Sequence, residues 1–242
     1  MSLTSASLSN IVLTQFRYKM KAYIGVFLAL ILVQVLGIFL ATLGTSFGSI
    51  SNNLYSIYFE GYSSSAVIIL TFIWAFMNAI LITTKAYRED DFTFVSTRIS
   101  YNLANMLFLI TISGIGAITA LLSNGIIRLF VYFTADVDVF LVLNSEVGIS
   151  YYGVGLISTF LYVLLFAIAG YVIGMMIQIS RLFLLLIPAI FITFTYLERL
   201  EMIVGFYFLE QSFLVFVVKV ITTILIGSAF ILVLSNRLEV RR

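Results

Sequence analysis

Residues 22–43 read AYIGVFLALILVQVLGIFLATL, a run without a single charged side chain. A helix needs about 20 consecutive apolar residues to cross the hydrocarbon core of a membrane, so this run is long enough to do so. The chain has 242 residues, of which 62% are hydrophobic and 10% are charged. A soluble globular protein is about half apolar and a quarter charged. The composition therefore excludes a soluble fold and predicts a membrane protein.

Similar apolar runs recur along the chain. We predict an all-α polytopic membrane protein that forms a single transmembrane domain over residues 1–242. Its predicted spans are residues 22–43, 64–84, 102–123, 153–176, 182–197 and 213–234. Residues 44–63 are rich in Gly, Ser and Asn, which is typical of a loop. Asn124 and Gly125 are expected to break the helix after the third span.

Residues 5–21 predict an amphipathic helix that lies on the membrane surface. Apolar and polar residues alternate there with the period of a helix. The apolar positions are Leu8, Ile11, Val12 and Phe16, and the polar ones are Asn10, Thr14, Gln15, Arg17, Lys19 and Lys21. The basic end of such a helix faces anionic headgroups. The alternative is a frayed, basic extension of the first span.

Basic residues set the expected orientation, because they concentrate on the cytoplasmic side of membrane proteins. With the N-terminus inside, the cytoplasmic side holds Arg17, Lys19, Lys21, Lys85, Arg88, Arg98, Arg181, Arg237, Arg241 and Arg242. The outer side then holds only Arg128 and Arg199. We therefore expect a multi-pass protein of the cell membrane with both termini in the cytoplasm.

The segment 85–101, between the second and third predicted spans, carries the densest charge in the chain. Asp90 or Asp91 can cap a short helix there, which would present Phe92 and Phe94 from a charged rim. Large apolar residues inside such a rim suit the docking of a soluble partner. The alternative is an ordinary charged loop whose phenylalanines insert among the headgroups.

Polar side chains inside predicted spans are costly in hydrocarbon, so each needs an explanation. Gln34 and Asn78 can hydrogen-bond between helices or contact a substrate. Lys219 can pair with Glu210 or Glu201, face a cavity, or lift its ammonium group toward the interface. Gly170 and Gly174 form a face of small residues, which close helix packing explains.

The chain lacks the groups that most enzymes and ion-coupled carriers use. It has no Cys and no His, and it has no glycine-rich phosphate loop of the Walker type. The predicted spans contain no Asp or Glu, which disfavours a carrier driven by an ion gradient. We expect no catalytic residue, no metal site and no cofactor in this chain, and no nucleic-acid partner.

An amphipathic first helix, six spans and a charged loop after the second span resemble the permease subunits of ABC-2 type ABC exporters. In that family the loop is a coupling helix that rests in a groove of the ATPase subunit. The stretch REDDFTFVSTRIS, residues 88–100, follows the order of that element: a charged start, an apolar middle, and Ser/Thr-Arg before the third span.

The resemblance implies a transport subunit that is not itself an enzyme and that carries cargo out of the cell. Two ATPase subunits, which bind ATP and Mg, would dock on the loop, and a second permease copy would complete the assembly. The implied contacts with the ATPase are Arg88, Glu89, Asp90, Asp91, Phe92, Phe94 and Arg98. An amphipathic peptide is the favoured cargo, with a lipid or drug as alternatives, and membrane lipid surrounds the subunit.

The resemblance also assigns a path and an outer gate. The path between the two subunits would be lined by the first, second and fifth spans, with Gln34, Trp74, Asn78 and Lys219 along it. Residues 198–211, ERLEMIVGFYFLEQ, are apolar in the middle and acidic at the ends, so they can dip into the membrane or lie on its surface. The gate residues would be Glu198, Glu201, Gly205 and Glu210.

A second hypothesis belongs to a different class of protein. The chain has everything that a non-transporting membrane protein needs, such as an immunity or scaffold protein that binds a peptide or a partner protein through its outer loops. An ATPase gene beside this one would favour the exporter over the binding protein.

Overall fold

A computed structural model of the chain shows, among the residues that it describes, a series of helices with a short hairpin between the second and the third. The structure describes residues 7–43, 46–52, 55–61, 64–87, 97–134, 149–210 and 212–237. The helices are α1 (Leu8–Ala22), α2 (Ile24–Thr42), α3 (Ser65–Ile82), α4 (Arg98–Thr134), α5 (Ile149–Ile179), α6 (Phe183–Tyr196), α7 (Leu200–Phe208) and α8 (Phe213–Arg237). The strands are β1 (Ser46–Asn52) and β2 (Tyr55–Gly61).

The lengths of the helices confirm the membrane-spanning character that the composition predicts. Among the described residues, five helices are long and apolar enough to cross a membrane, or six if α6 and α7 form one broken span. With 14 residues, α6 is about 21 Å long at about 1.5 Å per residue. That is short of a hydrocarbon core of about 30 Å. The predicted fifth span, residues 182–197, therefore corresponds to a helix shorter than this thickness, and α6 meets α7 at an angle of 89°.

The third predicted span is longer than expected, because α4 continues through Asn124 and Gly125 to Thr134. The prediction of a helix break at these two residues is wrong. A glycine inside a helix costs about 1 kcal/mol relative to alanine. Here that cost is small beside the apolar helix-forming residues that surround the pair on both sides, such as Leu122 and Ile126.

Part of the segment predicted as a loop, residues 44–63, forms an antiparallel hairpin instead. Strand β1 pairs with β2 in a register that places Ser46 opposite Gly61 and Asn52 opposite Tyr55. Isoleucine and aromatic residues favour strands, and the sequences SFGSISN and YSIYFEG contain both. The glycine and polar residues interspersed within both strands made this pattern look like a loop in the sequence.

Helix α1 begins after Ser7, whose hydroxyl accepts a hydrogen bond from the backbone N–H of Asn10 at 3.4 Å. Its buried residues are Val12, Gln15 and Lys19. Gln15 and Lys19, which the helical pattern assigns to the polar side, thus point into the protein. The position of α1 on a membrane surface stays a prediction.

The chain divides into two compact units. The first comprises Met1–Tyr23, Ala75–Thr111 and Leu164–Arg242, and the second comprises Ile24–Trp74 and Ile112–Val163.

One buried apolar cluster of the second unit is made of small and branched residues. Its members are Ala41, Val67, Ala120 and Ile127. A side chain at Gly37 would place its Cβ 2.8 Å from the Cα of Val67. Helices α2 and α3 therefore approach each other at backbone distance, which only glycine permits at this position.

In the first unit the small-residue face of α5 packs against α3. A Cβ at Gly170 would overlap the carbonyl oxygen of Phe76 and lie 3.1 Å from its Cα. A Cβ at Gly174 would collide with the side chain of Thr83. Both glycines are therefore used for contacts within the chain.

The contact at Gly170 predicts a matched pair of substitutions. Gly170→Ala should lower the apparent melting temperature in detergent by roughly 3–10 °C, because the backbone of Phe76 cannot move aside and overpacking costs about 1–3 kcal/mol. Gly125→Ala, at a helical glycine with no neighbour within 4 Å, should leave it unchanged or raise it. Equal effects from the two variants would show that the α3–α5 contact is looser than described.

Candidate functional site

The residues predicted to contact an ATPase fall largely outside the described part of the chain. These are Arg88, Glu89, Asp90, Asp91, Phe92 and Phe94. Arg98 begins α4, but its side chain is outside the described residues. The structure does describe the chain on both flanks of this segment, up to Tyr87 and from Thr97 onward.

The two flanks are anchored by a group of aromatic residues and one lysine, which we call the flank cluster: Lys19, Tyr23, Tyr87, Tyr101 and Phe108. The rings of Tyr23 and Tyr87 meet edge to face with their centroids 4.9 Å apart. The ring of Tyr23 also meets Phe108, at 5.8 Å. Such edge-to-face pairs are favoured geometries that add about 0.5–1.5 kcal/mol each beyond burial. Tyr23 thereby joins the chain before the segment to α4 after it.

Lys19 lies at the centre of the flank cluster. Its ammonium nitrogen is 4.9 Å from the ring centroid of Tyr101 and 5.6 Å from that of Tyr23. The side chain is 0% exposed. A cation over an aromatic face gains about 2 kcal/mol or more when it is desolvated. These contacts fix α1 to the beginning of α4.

The beginning of α4 is capped and tied to the end of α3. The backbone N–H of Thr97 donates to the Ser100 hydroxyl at 3.0 Å, and the N–H of Ser100 donates to the Thr97 hydroxyl at 3.3 Å. This reciprocal pattern is a capping box, which satisfies backbone donors that a helix start leaves open. The Tyr101 hydroxyl donates to the carbonyl of Ile82 at 3.4 Å. The two helices beside the segment are thus held to each other.

A buried polar network follows one turn further along α4. The amide nitrogen of Asn105 donates to the Tyr171 hydroxyl at 2.8 Å, and that hydroxyl donates to the amide oxygen of Asn102 at 3.0 Å. All three side chains are buried. Hydrogen bonds of this kind hold helices together where no water competes. The network ties α5 to the same part of α4 as the flank cluster.

Buried side chains near this region have unused hydrogen-bonding capacity, among them Gln15, and Asn105 at its amide oxygen. Both polar atoms of the Gln15 amide lack a hydrogen-bond partner, although the side chain is only 3% exposed. Burying an amide in this way costs free energy. Gln15 precedes Lys19 by one helical turn on the same face of α1, so the cost falls beside the flank cluster.

Two of the residues predicted along a substrate path lie in the second unit. The amide nitrogen of Gln34 donates to the Thr71 hydroxyl and to the carbonyl of Gly116, both at 3.3 Å. The indole N–H of Trp74 donates to the carbonyl of Val26 at 3.2 Å. A Cβ at Gly116 would lie 3.3 Å from the Trp74 ring. Both side chains are buried and join α2, α3 and α4.

The other two path residues lie in the first unit. Asn78 is buried on α3. Lys219 forms an ion pair with Glu210, and its ammonium nitrogen lies 4.4 Å from the ring centroid of Phe206. The structure therefore groups Lys219 with a residue predicted for the outer gate. Glu210 and Lys219 remain 23% and 25% exposed.

The remaining gate residues occupy different places in the α6–α7 region. Glu198 sits in the turn between the two helices with a φ of 56°, a left-handed conformation that usually belongs to glycine at a helix end. Glu201 is exposed in the first turn of α7. Gly205 lies within the continuous helix α7.

Within the described residues, no group of three or more acidic residues could hold a metal ion, and the chain has neither His nor Cys. The contacts described above hold helix ends to one another.

The flank cluster and the network at Tyr171 were missed by the sequence analysis. Lys19 resembles an ordinary basic residue at a membrane surface, because lysine is almost never fully buried. The available signal was the spacing of Tyr101, Asn102 and Asn105, which places polar side chains on adjoining faces at the start of an apolar helix. Their partners come from distant parts of the chain, which the spacing does not reveal.

We compared the chain with known protein families, curated proteins and solved structures. No protein-family model, no curated protein and no solved structure matches this chain. The likeness to ABC-2 permeases therefore rests on the helical architecture and on the order of residues 88–100.

The burial of Lys19 predicts that the same substitution destabilises the protein far more at Lys19 than at Lys21, the other lysine of α1. Lys19→Glu should lower the apparent melting temperature by about 6 °C or more, because it buries a carboxylate against the negative faces of two tyrosine rings. Lys21→Glu makes the same charge change at an exposed position and should shift it by less than about 2 °C. Thermal unfolding in detergent measures both, and similar shifts would contradict the burial of Lys19.

The Tyr171 network predicts that removal of one hydroxyl group lowers the free energy of unfolding. Tyr171→Phe removes the hydroxyl that bonds to Asn102 and Asn105, so it should cost about 1–2 kcal/mol in thermal unfolding. Tyr196→Phe, at an exposed tyrosine of α6, serves as the control and should have no measurable effect. If the Tyr171→Phe protein is as stable as this control, the hydrogen bonds of the network do not stabilise the fold.

Proposed function

We propose that this chain is the permease subunit of an ATP-driven exporter of the ABC-2 type, located in the cell membrane with both termini in the cytoplasm. Two separate ATPase subunits dock on residues 85–101, and a second permease copy completes the transporter. The chain itself catalyses no reaction. Its role is to convert the movement of the ATPase subunits into movement of membrane helices.

One observation carries this proposal: both flanks of residues 88–96 rest on the flank cluster. Before the segment, Tyr87 contacts Tyr23. After it, Tyr101 contacts Lys19 and hydrogen-bonds to Ile82. In this proposal, a displacement of the segment by the ATPase moves the ends of α1, α3 and α4 that these flank contacts join, as a coupling element requires.

The charge of the segment suits a protein partner. Residues 88–98 carry both acidic and basic side chains beside Phe92 and Phe94. Apolar anchors within a charged rim are typical of specific docking surfaces. In this proposal, closure of the ATPase subunits on ATP moves the segment, and α3 and α4 move with it.

The exposed surface of the chain favours a hydrophobic or amphipathic cargo. No residue of α6 is buried, and α2 exposes Leu28, Leu32 and Phe39. Of the four residues predicted along the path, Lys219 alone is partly exposed. Exposed apolar surface of this kind suits an amphipathic peptide or a lipid-like molecule better than a small hydrophilic solute.

The charge of the segment gives a direct test. The chain is co-expressed with the ATPase encoded beside its gene, and the complex is purified in mild detergent. Asp90→Lys combined with Asp91→Lys should abolish copurification and the associated ATP hydrolysis, because charge reversal opposes docking. The control reverses Asp136 and Asp138, which follow Arg128 in the sequence and fall on the outer side in the orientation predicted from the basic residues; it should retain the complex.

The outcomes separate the exporter from the binding-protein hypothesis. If the Asp90 and Asp91 variant retains the complex as the control does, the segment is not the docking site. If the unaltered chain binds no ATPase at all, the exporter proposal fails and a non-transporting protein that binds a peptide or partner protein becomes the better account.

A further inference from the structure

The helices α6 and α7, with the turn between them, form an arm (residues 183–209) that is anchored in an unusual way. No residue of α6 is buried, and none of Glu201–Leu209 is buried either. Apolar packing within the chain therefore contributes little to holding the arm in place. Segments with few buried apolar contacts are the ones that open most readily in folded proteins.

Polar contacts join the end of the arm to α8. Glu210 forms an ion pair with Lys219, and the Phe206 ring lies 4.4 Å from the same ammonium nitrogen. One turn along α8, the Thr223 and Tyr207 hydroxyls are 2.9 Å apart. Lys219 and Thr223 are four residues apart, so both face α7 from the same side of α8.

The opposite end of the arm's second helix contains a strained turn. Glu198 has a φ of 56°, a conformation that costs a residue with a Cβ free energy relative to glycine. Around it, the N–H of Leu197 donates to the carbonyl of Thr193 at 3.0 Å. The N–H of Arg199 donates to the carbonyl of Phe194, also at 3.0 Å. Strain at a turn persists only where the surrounding contacts impose it.

We propose that the Glu210–Lys219 ion pair is a latch that holds the arm on α8, and that release of the pair lets α7 rotate about the turn at Glu198. The strain at Glu198 favours release, and the ion pair opposes it. The two side chains are only 23% and 25% exposed, and an ion pair that is partly shielded from water is stronger than one in water. Both also retain some exposure, so another charged group can displace one partner. The latch does not depend on the exporter proposal, because it concerns contacts within one chain.

The absence of cysteine from the chain makes a distance measurement straightforward. Spin labels are attached at Met202→Cys on α7 and Leu225→Cys on α8, both exposed positions, and the distance between them is measured by pulsed electron resonance on the purified full chain. The latched protein should give one narrow distance distribution. Glu210→Gln should broaden it roughly twofold and add longer distances, because α7 loses its charged anchor.

The chain provides a matched control and a rescue. Glu201→Gln removes an exposed carboxylate from the first turn of α7 and should leave the narrow distribution unchanged. Exchanging the charges, with Glu210→Lys and Lys219→Glu in one protein, should restore the narrow distribution. If Glu210→Gln and Glu201→Gln give the same distribution, the latch is wrong.

A second variant covers the case in which Glu210→Gln yields no folded protein. The double variant Glu210→Gln with Lys219→Gln removes both charges and leaves no ion without its partner, so it avoids the main cost of the single change. It should broaden the distribution as the single variant does. A narrow distribution in this protein would overturn the latch. Because no ATPase is present, failure of the latch leaves the exporter proposal untouched, and loss of ATPase binding leaves the latch untouched.

Discussion

The structure depends on one constraint: polar groups that enter hydrocarbon must find partners within the protein, because no water is available there. Backbone groups satisfy it by forming helices. Side chains satisfy it through contacts between helices, as Gln34 does with Thr71 and Gly116. In the first unit, Tyr171 bonds to two asparagines of α4. Polar residues therefore specify which helices meet and in what register, while apolar packing buries surface without imposing a particular orientation of the helices.

The same constraint explains why charges occur where they do. Lys19 is buried but lies between aromatic rings that stabilise its charge. Lys219 is near hydrocarbon and has a carboxylate beside it. The two lysines differ in their surroundings. Lys19 belongs to a cluster with aromatic contacts on several sides, whereas Lys219 belongs to an ion pair that is still partly exposed.

The sequence predicted the membrane-spanning helices because their signal is local. A run such as residues 22–43 is apolar over its whole length, and helix α2 lies within it. The hairpin β1–β2 was missed because its alternating residues are interspersed with Gly, Ser and Asn, which indicate loops. The burial of Lys19 and the pairing of Asn105 with Tyr171 were also missed, since both depend on residues far apart in the chain. For Lys219 the sequence left Glu210 and Glu201 open as partners, and only the arrangement of α7 against α8 selects Glu210.

The length of α4 has a consequence for the surrounding bilayer. Its apolar stretch, Ile99–Phe130, has 32 residues and is about 48 Å long at about 1.5 Å per residue. A hydrocarbon core of about 30 Å would contain it only at a tilt of about 50°, beyond the usual range of about 0–40°. Where α4 crosses such a core, tilt alone would not remove the mismatch, so the surrounding lipid would have to stretch or the helix would have to emerge from it. The thickness of the membrane, and hence its acyl-chain length, becomes a variable that acts on this protein directly.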